Sequence, residues 1–200
     1  MIPVDIAAFQ RLRVGPDGAK LLPDGALGPK TYWALALDSL PQWRVDVVLG
    51  ALKWNGLRET GVNRGPDIDA WLEACGVAVP EDPTAPAPKN AWCAAFVSAI
   101  LRGAGIGCAE ASVARLRGRF PRTETPVPGD VMCFVRDDGT GHCGIVTGVS
   151  ADRVSTCEGN SNDGVRVGWR PREGLDFVVP MGQPLPGVWS GLTQLGGKTL

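Results

Sequence analysis

The hydrophobic pattern of this 200-residue chain changes period at about residue 122, and that switch limits the folds open to it. Before it the pattern is helical. Pro41 opens QWRVDVVLGALKWNGL, where Val45, Val48, Leu49 and Leu52 recur at helical spacing. PDIDAWLEACG starts at Pro66 and is stopped by Gly76. AWCAAFVSAIL follows Asn90, a good N-cap, and ends at GAGIG. After a basic stretch (Arg115, Arg117, Arg119, Arg122) the runs become short and β-branched: DVMCFV, CGIVTGV, RVSTC, VRVGWR and DFVVP, parted by turn sequences such as RDDGTG and NSNDG. Helices followed by a strand meander predict an α+β domain with a mainly antiparallel sheet.

Three stretches flank or interrupt this core. Residues 3–39 read as a short helix, a turn-rich loop and a second helix entered at Pro29. VPEDPTAPAPKN is a proline-rich, extended connector. The expected organisation is a short helical segment at 1–40, a catalytic domain at 41–182 and a tail at 183–200.

Composition removes several function classes. A formal net charge of -1 gives no basic field to attract a nucleic-acid backbone. The longest apolar stretches break well short of a membrane span, so no membrane insertion is expected. MIPVDIAAFQR lacks a basic head before an apolar core, so no signal peptide is expected, and a target outside the cytoplasm requires another delivery route. The six cysteines (75, 93, 108, 133, 143, 157) form no CxxC pair, and a single histidine cannot complete the usual zinc patterns. Apolar neighbours, as in VMCFV and EACGV, suit free cysteines serving as small core hydrophobes.

Context singles out one of the six. With Asn90 as cap, Cys93 falls in the first helical turn, where the dipole and unpaired amides favour a thiolate, the nucleophilic form. By position alone Cys93 reads first as a small side chain in a crowded helix and only second as a nucleophile. His142, in GHCGIV, stands at a strand entrance, rigid enough to aim a base. Taken without context it reads as a surface residue beside a hairpin, yet Cys/His chemistry needs one histidine and the chain has one. Glu158 ends the next strand, RVSTCE, so antiparallel pairing brings it near His142. There it can accept the Nδ1–H and fix the tautomer. Asn160 reads either as a second orienting or oxyanion group or as a turn residue in EGNSNDG.

PKNAWCAAFVSAILRGAG, PVPGDVMCFV, GHCGIV and CEGN, in that order, resemble the CHAP family, the cysteine, histidine-dependent amidohydrolases and peptidases of phage lysins and bacterial wall hydrolases. The resemblance spans roughly residues 57–170 and implies a papain-like fold with Cys93, His142, Glu158 and Asn160 as catalytic residues. It implies that Cys93 attacks an amide carbonyl of peptidoglycan while His142 manages the protons. Some members of the family bind calcium through acids before the nucleophile; here only Glu81 and Asp82 precede it, too few for a calcium shell, so no metal and no cofactor are expected. Glu59, Asn63, Arg64 and Trp92 are the candidate substrate-binding residues.

AFQRLR, PDGALGPKT and YWALAL resemble one half of a three-helix peptidoglycan-binding fold; the competing reading is a helical hairpin packed on the catalytic domain. The expected protein is therefore a monomeric wall hydrolase whose partner is peptidoglycan, acting at the bacterial wall or periplasm after holin- or secretion-mediated release. The alternatives are an antibacterial effector with the same chemistry, a non-catalytic wall-binding or phage-structural module, and an intracellular protease.

Overall fold

The computed structural model describes residues 5–82, 84–85 and 92–180; the expected Asn90 cap and the 183–200 tail lie outside them. The helical half contains α1 (Ile6–Arg11), α2 (Pro29–Asp38), α3 (Gln42–Leu52), α4 (Pro66–Glu73), α5 (Cys93–Gly103) and α6 (Val113–Arg119). Proline at the first turn starts α2 and α4, where its missing N–H costs no helical hydrogen bond. Arg115, Arg117 and Arg119 of the basic stretch lie in α6, and Arg122 lies beyond it. Ser112 caps α6 by accepting from Arg115 N, and Val113 and Leu116 are its buried stripe.

Helix α3 buries Val45, Val48 and Leu52 as expected and departs from expectation at Leu49. Leu49 is 38% exposed, whereas Val47, Val48 and Ala51 are fully buried. The reason is that α3 packs against α2 on one side and α5 on the other, so its buried arc is centred between them.

The strands are β1 (Arg122–Thr123), β2 (Val131–Val135), β3 (Gly141–Val149), β4 (Arg153–Glu158), β5 (Arg166–Pro171) and β6 (Asp176–Val178). They form one antiparallel sheet in the order β1-β6-β2-β3-β4-β5. The expected meander holds from β2 to β5, and β6 returns to pair with β2 at the other side. One face, carrying Val131, Cys133, Cys143, Ile145 and Cys157, joins Phe96, Val97 and Leu101 of α5 in the main core. Met132, Val146, Val154 and Phe177 form a smaller cluster.

Residues 5–40 share that main core through Leu21, Trp33, Ala34 and Leu37. The β3–β4 register slips between Val146 and Gly148, a bulge at Thr147. The Trp33 indole fills the resulting vacancy in the ladder, donating Nε1–H to Thr147 O at 2.7 Å. A second anchor ties α3 to the turn before β2. Asp130 accepts from Arg44 Nη1 at 2.7 Å and from Val127 N at 2.8 Å. Gly129, at φ +91, lies so close that an added Cβ would sit 3.0 Å from Arg44 Cβ.

Candidate active site

The site forms where the start of α5 meets the start of β3. Trp92 occupies the N-cap position and Cys93 is the first helical residue, not the third. The helix begins later than the Asn90 reading implies because Trp92 is anchored outside it. Its buried indole donates to Glu59 Oε1 at 2.6 Å and packs beside Trp71, with ring centroids 5.9 Å apart. The Cys93 sulfur is thereby set against the β3 backbone, taking hydrogen bonds from the Cys143 thiol and backbone N–H and contacting His142.

The β2–β3 hairpin holds the histidine. Asp138 Oδ1 accepts from Thr140 N at 2.9 Å, Gly139 takes φ +79, and Phe134 pairs with His142 across the ladder. The Phe134 ring lies 5.9 Å from the imidazole, centroid to centroid. On the adjacent strand, Glu158 is buried and lies 2.9 Å from His142, Oε2 to Nε2.

The nitrogen facing Glu158 is thus Nε2, not the expected Nδ1. The carboxylate lies diagonally across the sheet from His142, beyond Gly144, so the far nitrogen reaches it. An added Cβ at Gly144 would sit 2.6 Å from Glu158 Cγ and 2.9 Å from Cys157 O, so only glycine leaves this path open. Nδ1, nearer the β3 backbone, is left for the Cys93 thiol. Gly159 meets a similar constraint, since a Cβ there would approach Trp92 Cζ3 and Phe96 Cβ to 2.7 Å.

Glu158 has further donors. Thr156 Oγ1 and Arg170 Nε bond Oε1, and Arg170 Nη2 joins His142 on Oε2. Burial works to raise this carboxyl, but the bonds from Arg170, His142 and Thr156 outweigh it and hold it down to about 2. An ionised carboxylate only accepts, so His142 Nε2 carries the proton. Burial likewise works to lower His142, yet its bonds to Cys93 and Glu158 raise it to about 9. Cys93 is held well below its ordinary value of 9.0 by the Cys143 thiol first; burial opposes, and His142 adds to the lowering. Cys143, donating to that sulfur and fully buried, is pushed well above it. Both shifts favour a thiolate–imidazolium pair, with a fixed carboxylate behind the ring, a combination suited to nucleophilic attack followed by proton delivery.

The other expected residues form a separate network. Glu59 Oε2 accepts from Asn63 N at 2.9 Å, and Asn63 Oδ1 accepts from Asn160 Nδ2 at 3.2 Å. The Asn160 side chain therefore joins the 59–63 loop, and the ring-orienting bond belongs to Glu158. Asn63 and Asn160 both take φ 55, a left-handed conformation that asparagine tolerates better than most residues. Arg64 is directed inward. Its guanidinium bonds Asp69 and the carbonyls of Pro80, Asp82 and Ala85, which fixes the start of the proline-rich connector.

Sequence reasoning missed Cys143, Thr156 and Arg170. Thr156 carried a signal, since alternation puts it on the same strand face as Glu158. Arg170 carried none, because its contact depends on the β4–β5 register. No cluster of three or more metal-ligating side chains arranged for an ion occurs among the described residues. Two surface clefts, of about 580 and 470 Å³, are lined by Arg122, Arg172 and Phe177 in one case and by Leu12, Trp33 and Leu49 in the other. Neither includes Cys93, His142 or Glu158.

No curated protein and no solved structure matches the chain. Residues 85–160 do match the family model of the CHAP domain, a stretch containing Cys93, His142, Glu158 and Asn160 but not Glu59, Asn63 or Arg170. By that match, and with the thiol, imidazole and carboxylate in one hydrogen-bonded line, residues 85–160 are similar to the CHAP domain.

Proposed function

We propose that this protein hydrolyses an amide bond in the peptide part of bacterial peptidoglycan, as a phage endolysin or bacterial wall lysin. The observation that carries the reading is the line from the Cys93 thiol through the His142 ring to Glu158, whose last link measures 2.9 Å. The Cys93 thiolate attacks the amide carbonyl, and the oxyanion forms at the start of α5, where the helix dipole favours negative charge. His142 then gives its Nδ1 proton to the departing amine, leaving a thioester on Cys93. A water molecule, losing one proton to His142, attacks that thioester; collapse expels the Cys93 thiolate and a carboxylic acid that ionises to solvent, which restores the thiolate–imidazolium pair. Glu158 keeps the ring oriented and balances the imidazolium without taking the proton.

Asn63, Asn160 and Glu59 form the rim along which a stem peptide is read, while Trp92 and Arg64 support that rim from inside. The place of action is the wall or periplasm, reached by release through a holin or a secretion machine. Incubation with purified sacculi, followed by mass spectrometry of the released fragments, tests the reading. Soluble fragments with a newly freed amine are expected from the wild type and none from a folded Cys93→Ala variant. EDTA should leave the rate unchanged. Turnover by Cys93→Ala, or intact sacculi with cleaved casein, would overturn the proposal.

A further inference from the structure

Arg170 lies on β5, ten residues past the end of the family match at residue 160, and the mechanism above gives it no task. Its guanidinium nevertheless makes a two-pronged contact with Glu158, Nε to Oε1 and Nη2 to Oε2. The other groups facing this carboxylate are His142 from β3 and the Thr156 hydroxyl from its own strand, with the Cys143 and Cys157 thiols nearby and Cys93 of α5 beyond the imidazole. Of all these, Arg170 alone is a permanent cation.

A carboxyl buried with only a histidine for company tends to become neutral, and a neutral Glu158 cannot balance an imidazolium. The fork geometry also fixes the carboxylate plane, so that Oε2 points at Nε2. A purely architectural role, stapling β5 to β4, is already covered by six register pairs between those strands. The arginine side chain is 36% exposed, so its replacement opens no core cavity.

We propose that Arg170 is a positioning residue that keeps Glu158 ionised and aimed at His142, and so extends the thiolate–imidazolium pair at Cys93 into acidic solution. This rests on the catalytic reading of Cys93, His142 and Glu158. The test uses full-length Arg170→Met and Arg170→Lys. The rate of Cys93 alkylation by iodoacetamide is followed against pH, and so is hydrolysis of a soluble muropeptide, with folding checked by circular dichroism. In Arg170→Met the acid limb of both profiles should move up by about one pH unit or more, with less than about tenfold loss on the alkaline plateau. Arg170→Lys, keeping the charge but not the fork, should move it by a smaller amount, and this variant decides alone if Arg170→Met does not fold. Unmoved acid limbs, or a loss by the same factor at every pH, would refute the positioning role. A shifted alkylation limb in a protein that cuts no muropeptide would uphold Arg170 and reject the proposed hydrolysis instead.

Discussion

Asp130 and Glu158 are both buried beside an arginine, Asp130 by Arg44 in the turn ahead of β2 and Glu158 by Arg170 at the end of β4. Burial pushes both carboxyls upward, and they end on opposite sides of the ordinary range. Asp130 stays raised, with burial the larger influence and the Arg44 charge only partly offsetting it. Glu158 is held down to about 2. The difference lies in the donors. Asp130 has Arg44 Nη1 and Val127 N, while Glu158 has Thr156 Oγ1, His142 Nε2 and both prongs of Arg170. Arg44, moreover, leaves Nε and Nη2 without a hydrogen-bond partner among the described residues. One pair is a staple between α3 and the sheet; the other is a charge tuned for the imidazole it faces.

If that contrast is right, the two acids fail differently when cut. Glu158→Ala should cost roughly 10²- to 10⁴-fold in turnover on a muropeptide, since ring orientation and charge balance go together. Asn160→Ala, which leaves the Glu158–His142 bond in place, should cost only a few-fold. A reversal of those two results would make Asn160 the orienting group after all.

Breaking the other pair should damage the fold first. Arg44→Met strands a buried carboxylate and should lower stability by about 3–5 kcal/mol in denaturant titration, with the folded fraction retaining its rate per molecule. Adding Asp130→Asn removes the stranded charge while keeping an acceptor for Val127 N, and should recover most of that loss. A rate defect persisting in the recovered double variant would erase the distinction drawn between the two pairs.

A finer probe is Gly144→Ala. The added methyl would crowd Glu158 Cγ at 2.6 Å and the Cys157 carbonyl at 2.9 Å, so the carboxylate must move off the imidazole. About 10- to 10²-fold loss in turnover is expected, because a displacement near 1 Å at an orienting group is felt at the reacting atoms. An unaffected rate would mean that Glu158 tolerates repositioning.

The smallest effects are in pH dependence. Glu158, lowered from 4.5 to about 2, contributes stability that is complete above 4.5 and is lost as pH falls toward 2. His142, raised from 6.5 to about 9, contributes stability that is complete below 6.5 and is lost as pH rises toward 9. Asp130, raised from 3.8, works in the sense opposite to Glu158: its contribution is complete below 3.8 and fades as pH rises. Melting temperatures should thus peak between the two site groups, and Glu158→Gln should show a shallower fall on the acid side. Since the chain has one histidine, its imidazole protons report His142 without ambiguity by NMR. A midpoint near 9 is expected, moving down in Cys93→Ala, where the thiolate that favours the imidazolium is gone.

The sequence by itself determined the class of fold and the principal chemical groups. Helical spacing before residue 122 and β-branched runs after it are local properties, written in the residues that form each element. Cys93 at a helix start, His142 at a strand entrance and Glu158 at the end of the next strand follow from that same local reading, because antiparallel neighbours joined by a short turn must meet. Glycine placement is legible too, though its cause is not: Gly144 and Gly159 are required by the passage of Glu158 and the approach of α5. What only the tertiary structure decided depends on register and on contacts between distant segments. Which imidazole nitrogen faces Glu158, the Cys143 donation to Cys93 and the Arg170 fork are set by how strands slide and which helix lies against them. The inward turn of Arg64 and the seat of Trp33 on the Thr147 carbonyl, 114 residues away, belong to the same class. A side chain's periodicity tells which way it points, but its partner across space is chosen by the packing of the whole chain.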